Sequence, residues 1–253
     1  MTNKLKYFVG NWKMFGDFNS LKIIKQIAFY YKNIKAKNKK NKIIICVPNV
    51  FIATFNSKIK SKSILLGAQN CAQHKNYGPH TGSVSATMIR KSGAKYVILG
   101  HSENRAEGES NHLIKNKIIS ALEQNLTIIF CVGETSTEKN KKKTFSVLKK
   151  QIINSINKKL DFKKIIIAYE PVWSIGTGKV PHSKDLEKTF IFIKKFLKEK
   201  FKLKKIPPIL YGGSVNDKNI AKFSLINEID GFLIGGASQS SKKFIDIIKK
   251  YYK

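Results

Sequence analysis

The sequence predicts a single α/β domain, a closed (β/α)8 barrel spanning residues 1–253. Three observations carry that prediction. Eight short apolar runs recur along the chain, none interrupted by a charge, which is how strands buried on both faces read. Longer amphipathic stretches fill the intervals, and strand–helix alternation implies a parallel sheet. No Pro/Gly/Ser-rich linker divides the chain, and no GxGxxG follows the first run, which counts against the competing doubly wound sheet.

The strands expected, in order, are Tyr7–Val9, Ile43–Val47, Ile64–Ala68, Tyr96–Leu99, Thr127–Val132, Ile165–Tyr169, Ile209–Tyr211 and Gly231–Ile234. Ser20–Tyr31 places Leu21, Ile23, Ile24, Ile27 and Ala28 at helical spacing, and so reads as a helix. His112–Glu123 does the same with Leu113, Ile114, Ile118 and Leu122. Phe145–Leu160 and Leu186–Phe201 are longer, lysine-faced helices, and Ser241–Tyr252 closes the chain. The charge run Lys139–Lys143 reads as a solvated helix start rather than a domain boundary.

Composition narrows the partners. The formal net charge is +32, yet only Arg90 and Arg105 among the 48 basic residues are arginines. Base reading and phosphate forks favour Arg over Lys. The lysines are spread along helix faces, as at Lys194–Lys195 and Lys249–Lys250. No dedicated nucleic-acid or membrane partner is expected; a basic surface does attract anionic substrates. Cys46, Cys71 and Cys131 make no disulfide framework, which suggests a reducing compartment. Met1 to Val9 has no apolar signal core, and no run approaches the length of a membrane span. A cytoplasmic location is the expectation.

In a parallel barrel, chemistry sits where the strands end. Those ends supply Asn11-Trp12-Lys13, Gly100-His101-Ser102-Glu103, Glu170, Gly212-Gly213-Ser214-Val215 and Gly235-Gly236-Ala237-Ser238. Titratable groups gather after strands one, four and six, and glycines after seven and eight. Amides without a neighbouring Cβ can approach an anion closely, and the loops after strands seven and eight are where a barrel holds phosphate. One glycine pair alone signals only a tight turn; two pairs at two strand ends say more.

The stretch from Ala168 to Gly178 puts a carboxylate at a strand end, then Pro171, two bulky residues and a Gly-rich tip. It reads as an acid or base on a rigid strand followed by a movable loop. Alone, it reads equally well as a surface turn with a solvated Glu. Gly176-Thr177-Gly178-Lys179 imitates the end of a P-loop, but Trp173 and Val180 stand where Gly and Ser or Thr are required, which rules that motif out.

Taken together, these residues resemble the triosephosphate isomerase family. The likeness runs through Asn11-Trp12-Lys13-Met14, Gly67-Ala68-Gln69-Asn70, Thr81-Gly82, Gly100 to Glu103, Cys131-Val132-Gly133-Glu134, Ala168 to Gly178, Tyr211 to Val215 and Gly235 to Ser238. It covers nearly the whole chain in order. The resemblance implies a TIM barrel that interconverts dihydroxyacetone phosphate and glyceraldehyde 3-phosphate through an enediolate. It implies Glu170 as the base, His101 as the electrophile on the substrate oxygens, Lys13 as a fixed cation and Asn11 as a positioning donor. Glu103 matches the group that steadies Lys13, and Gly176, Ser214, Gly235 and Gly236 match the phosphate donors. Cys131 matches a cysteine near the base, and reads equally as a small buried apolar residue. The resemblance implies no metal and no cofactor. His74, His80, His112 and His182 match no catalytic position. Residues 170–181 would be the lid, with Pro171-Val172-Trp173 and Lys179-Val180-Pro181 as its hinges. Residues 70–85, around Thr81, would enter a second subunit of a homodimer.

Two departures from the family pattern stand out. Its second hinge commonly ends in Ala, whose N–H can bond the tyrosine matched by Tyr211. Pro181 has no N–H, so Tyr211 is expected to latch the lid through another partner. Asn104 and Ser83 replace an Arg and a Glu that meet at the subunit contact in relatives, an ion pair lost as a unit. Two other readings are a basic barrel recruited to bind nucleic acid and a different phosphate-handling barrel enzyme. Neither accounts for Asn11, Lys13, His101, Glu170 and the lid stretch together.

Overall fold

The computed structural model describes residues 5–34, 40–59 and 63–252. Residues 1–4, part of the stretch read for a signal core, lie outside the described residues. Eight parallel strands close into a barrel in sequence order. They are β1 Lys6–Asn11, β2 Asn41–Cys46, β3 Ile64–Ala68, β4 Tyr96–Leu99, β5 Thr127–Val132, β6 Ile165–Tyr169, β7 Ile209–Tyr211 and β8 Gly231–Ile234. β8 pairs back onto β1 with Tyr7 opposite Gly231. A Cβ at Gly231 would lie 2.1 Å from the Tyr7 carbonyl oxygen, so the closure needs a glycine there.

The helices are α1 Leu21–Ile34, α2 Asn49–Lys58, α3 Ala86–Lys91, α4 Ser102–Ala106, α5 Asn111–Glu123, α6 Ser136–Asn140, α7 Thr144–Ser155, α8 Ser183–Phe201, α9 Ile220–Phe223 and α10 Ser241–Tyr251. Ser85, Ser110 and Ser240 cap α3, α5 and α10 with their hydroxyls, each cap worth about 1 kcal/mol. Two sequence expectations need correction. The helix expected over Phe145–Leu160 stops at Ser155, because Ile156 turns extended and the Asn157 side chain takes the Lys159 N–H at 2.9 Å, a local bond that competes with helix. The run Lys139–Lys143 is not a helix start: it ends α6 and turns, with Lys142 left-handed at φ 56°, into α7. The segments that form α2 and α3 were not singled out as helical by their pattern.

Side-chain alternation along the strands splits the core into two layers. Val9, Ile44, Cys46, Ile98, Ile129, Cys131, Ile166, Ala168, Leu210 and Leu233 fill the barrel interior as one buried cluster. Their neighbours, among them Phe8, Ile43, Val97, Phe130 and Ile167, pack outward under the helices. Each fully buried side chain of this size stabilises the fold by about 1.5–3 kcal/mol. The same alternation places the site. Two residues beyond Val9, Ala168, Leu210 and Leu233 stand Asn11, Glu170, Gly212 and Gly235, the next inward positions above the apolar plug.

Candidate active site

At the C-terminal end of the strands lies one cavity of about 580 Å³. Asn11, Lys13, His101, Glu170, Gly176, Ser214, Gly235 and Gly236 all line it, so every residue expected to touch substrate is brought together. Glu103 and Tyr211, expected as supports, do not line it. Ile175, Val215 and Leu233 supply apolar lining on the same cavity.

Glu170 leaves β6 with its backbone N–H donating to the Val132 carbonyl at 2.8 Å. The residue is 2% exposed. Oε1 lies 3.3 Å from Nε2 of His101, while Oε2 is buried without a hydrogen bond of ordinary geometry. Burial pushes this carboxyl up from its ordinary value. The nearby His101, the Cys131 thiol, Lys13 and the Ser102 backbone pull against that rise. Two glycines make room for Glu170. A Cβ on Gly133 would fall 1.8 Å from its carbonyl oxygen, and one on Gly212 would fall 2.7 Å from its Cγ.

His101 follows Gly100, whose φ of 71° favours glycine. It stands at the N-terminus of α4, where its Nδ1 accepts the Glu103 N–H at 3.2 Å. Accepting that bond leaves the ring proton on Nε2, the atom that faces Glu170. Lys13 sits in the left-handed region at φ 56°, a costly conformation for a residue with a side chain. It is held there on both sides. Its N–H donates to Oδ1 of Asn11 at 3.1 Å, and its carbonyl accepts from the Gln69 amide at 2.9 Å. Its ammonium pairs with the Glu103 carboxylate.

Gly235 and Gly236 open a 3-10 turn, Gly236–Gln239. A Cβ at Gly236 would meet nothing in the protein. The missing side chain leaves cavity space that packing does not need, which is the form of an anion cradle.

Three contributors went unrecognised in the sequence. Arg105 donates to the carbonyls of Gly100 at 2.8 Å and Cys131 at 3.3 Å and to Oδ1 of Asn111 at 2.7 Å. A lysine cannot make that fork, and an arginine in so lysine-rich a chain was the available signal. Glu134 is buried, accepting from the Trp173 indole at 2.9 Å and from the Tyr169 hydroxyl at 3.2 Å. Ser174 is wholly buried; nothing in its spacing marked it. Cys131 is fully buried, and its thiol is pushed up by burial and by Glu170 beside it. His74 stacks on His80 with ring centroids 3.6 Å apart, and neither lines the cavity. Gly176 to Lys179 opens no helix, whereas a P-loop leads directly into one.

A closed parallel barrel that holds a buried carboxylate beside an imidazole N–H, with a lysine and a glycine cradle across the cavity, is built for proton transfer on a small anion. The comparisons name the lineage. The family model described as triosephosphate isomerase matches residues 6–251, and the chain belongs to that family. It is 39% identical over 244 residues to the triosephosphate isomerase of Ruthia magnifica subsp. Calyptogena magnifica, covering 95% of this chain and 96% of that protein. A second relative, the triosephosphate isomerase of Rhizobium etli, is 39% identical over 248 residues, covering 96% and 94%. The crystal structure of triosephosphate isomerase from Bartonella henselae superposes with a TM-score of 0.89 at 34% identity, covering 98% of this chain and 99% of that one.

Proposed function

We propose that this chain interconverts dihydroxyacetone phosphate and D-glyceraldehyde 3-phosphate, in glycolysis and gluconeogenesis. The observation that carries the reading is the buried contact between Glu170 Oε1 and His101 Nε2 at 3.3 Å, at the floor of the cavity. Glu170 takes a proton from carbon 1 of dihydroxyacetone phosphate. The C–H electron pair becomes a C1–C2 double bond, and negative charge moves to the carbon 2 oxygen. The Nε2–H of His101 donates to the enediolate oxygens, and Lys13 balances the charge. The hydroxyl proton of oxygen 1 then passes to oxygen 2 by way of the His101 ring, which moves the negative charge to oxygen 1; returning the proton to carbon 2 gives the aldehyde, with atoms and charge conserved. Asn11 positions the substrate, while Gly176, Ser214, Gly235 and Gly236 hold its phosphate. Glu103 steadies Lys13, and Tyr211 supports the lid. Closure of residues 170–181 keeps water from the enediolate.

Burial suits Glu170 to this work, because a carboxylate short of water is a stronger base. The test is a coupled isomerisation assay of wild type beside Glu170→Asp. Shortening the side chain misplaces the carboxylate by about 1 Å, and kcat should fall on the order of 10²-fold. No turnover by folded wild type, or equal turnover by the variant, would overturn the reading.

The same reading makes the protein a cytoplasmic homodimer. Residues 73–83 are exposed. Met14 and Tyr77, on the loops after β1 and β3, and Val50, in the first turn of α2 after β2, expose apolar side chains at the same barrel end, a pattern that marks a contact surface. The three cysteines are free, in keeping with a reducing compartment. No helix among the described residues is long and apolar enough to cross a membrane. Sedimentation at graded salt tests the dimer, since like-charged subunits separate more readily at low salt.

A further inference from the structure

We propose that Ser174 is the positioning residue that latches the lid. Its hydroxyl joins both hinges to the loop after β7 and gives the Tyr211 hydroxyl the partner that Pro181 cannot. This inference rests on the isomerase reading above.

Ser174 ends the 3-10 turn Val172–Ser174 of the first hinge, and its side chain is wholly buried. Its Oγ donates to the carbonyl of Lys179, in the second hinge, at 2.6 Å. It stands 3.1 Å from the Tyr211 hydroxyl and accepts from the Ser214 N–H at 3.3 Å. A hydroxyl has one proton and two lone pairs. The proton goes to Lys179, so Tyr211 must be the donor, and the capacity of Ser174 is then full. Burial pushes the Tyr211 phenol up to about 12, so it keeps its proton throughout the physiological range.

A second observation supports the junction independently. A Cβ on Gly213 would lie 2.2 Å from the Tyr211 hydroxyl and 2.8 Å from Ser174 Oγ. The contact fits only because residue 213 is glycine. Tyr211 is also fixed from behind, its ring 4.7 Å from that of Phe223. Pro181 leaves the second hinge with no N–H at that position, so the hinge offers a carbonyl instead. Ser174 converts that carbonyl into an acceptor site for Tyr211. Because Ser214 shares the same oxygen, forming the phosphate loop and closing the lid are coupled at one atom.

Two readouts test this in Ser174→Ala and Tyr211→Phe. The first is hydrogen exchange across residues 172–181 without substrate. Loss of one ordinary hydrogen bond shifts an opening equilibrium by about tenfold, so both variants should exchange about tenfold faster there, with other strands unchanged. This readout does not depend on turnover. The second is inorganic phosphate released per isomerisation. In an open site the enediolate electron pair expels phosphate from carbon 3 as the C–O bond breaks, so this ratio should rise by about tenfold in both variants. The double variant should match the worse single variant, because both remove one junction. Unchanged lid exchange in Ser174→Ala, or additive effects in the double variant, would overturn the latch. If Ser174→Ala does not fold, Tyr211→Phe alone decides, with unchanged exchange as the overturning result. Wild-type isomerisation reports on the functional reading separately, so the two can fail independently.

Discussion

Nε2 of His101 lies 3.3 Å from Oε1 of Glu170, although the two residues stand at the ends of β4 and β6 with β5 between them. The strand between supplies the frame. Val132 of β5 accepts the Glu170 N–H at 2.8 Å, and the Cys131 carbonyl accepts from Arg105, which also grips Gly100 before His101. The Glu170–His101 contact is therefore set by backbone on both sides, not by the two side chains alone.

Burial of Glu170 makes stability depend on pH. Its native carboxyl lies above the ordinary 4.5, so the native state holds the proton more tightly than the unfolded chain. The stability cost is absent well below 4.5 and complete above the native value. Glu170→Gln is uncharged at every pH. It should melt higher than wild type at about pH 8, with the gain shrinking as pH falls through the native value toward 4.5. Circular-dichroism melts across pH measure this, and a gain that ignores pH would place its origin in packing.

Two glycines separate protein packing from ligand space. Gly212→Ala drives a Cβ to 2.7 Å from Glu170 Cγ, and moving the carboxylate by about 1 Å to relieve that contact should lower kcat by roughly 10²-fold. Gly236→Ala meets no protein atom, so the melting temperature should hold while KM for the triose phosphate rises. Equal KM in Gly236→Ala and wild type would place the phosphate elsewhere.

Lys117 and Glu109 form a nearly buried ion pair, and both hold the Asn70 side chain, at 3.1 Å and 2.8 Å, at the base of the loop 70–85. Removing one partner strands the other charge. Lys117→Met should cost about 3–5 kcal/mol, while Lys117→Met with Glu109→Leu should recover most of it. Urea denaturation of the two variants decides, and equal losses would mean the pair is replaceable by solvent.

Trp173 is the chief hydrogen-bond donor to the buried Glu134 carboxylate, which burial already raises above its ordinary value. Trp173→Phe keeps the ring beneath Lys139 but removes the donor. The loss should be about 1–3 kcal/mol at neutral pH, and smaller in acid, where the carboxyl is protonated in both proteins. Melting wild type and variant at both pH values tests it, and a loss that grows in acid would contradict this account.

Most of the site was legible because it follows strand periodicity. Asn11, Glu170 and Gly235 extend inward columns that an apolar plug defines, and the apolar runs themselves were visible as β-branched stretches. Helix ends were less legible. The end of α7 is set by an Asn157 turn, and the lysine run at 139–143 by a left-handed residue, neither of which alters hydrophobic spacing.

By itself the sequence determined the barrel, its eight strands in order and the strand-end residues, because alternating burial and strand ends are local properties of the chain. Only the tertiary structure decided the Arg105 fork, the Tyr169–Glu134–Trp173 cluster and the Ser174 junction. Each joins segments far apart in sequence through side-chain hydrogen bonds, and a hydrogen bond between distant segments leaves no periodic trace. Pro181 announced that Tyr211 needed a new partner; three-dimensional proximity alone identified it as Ser174.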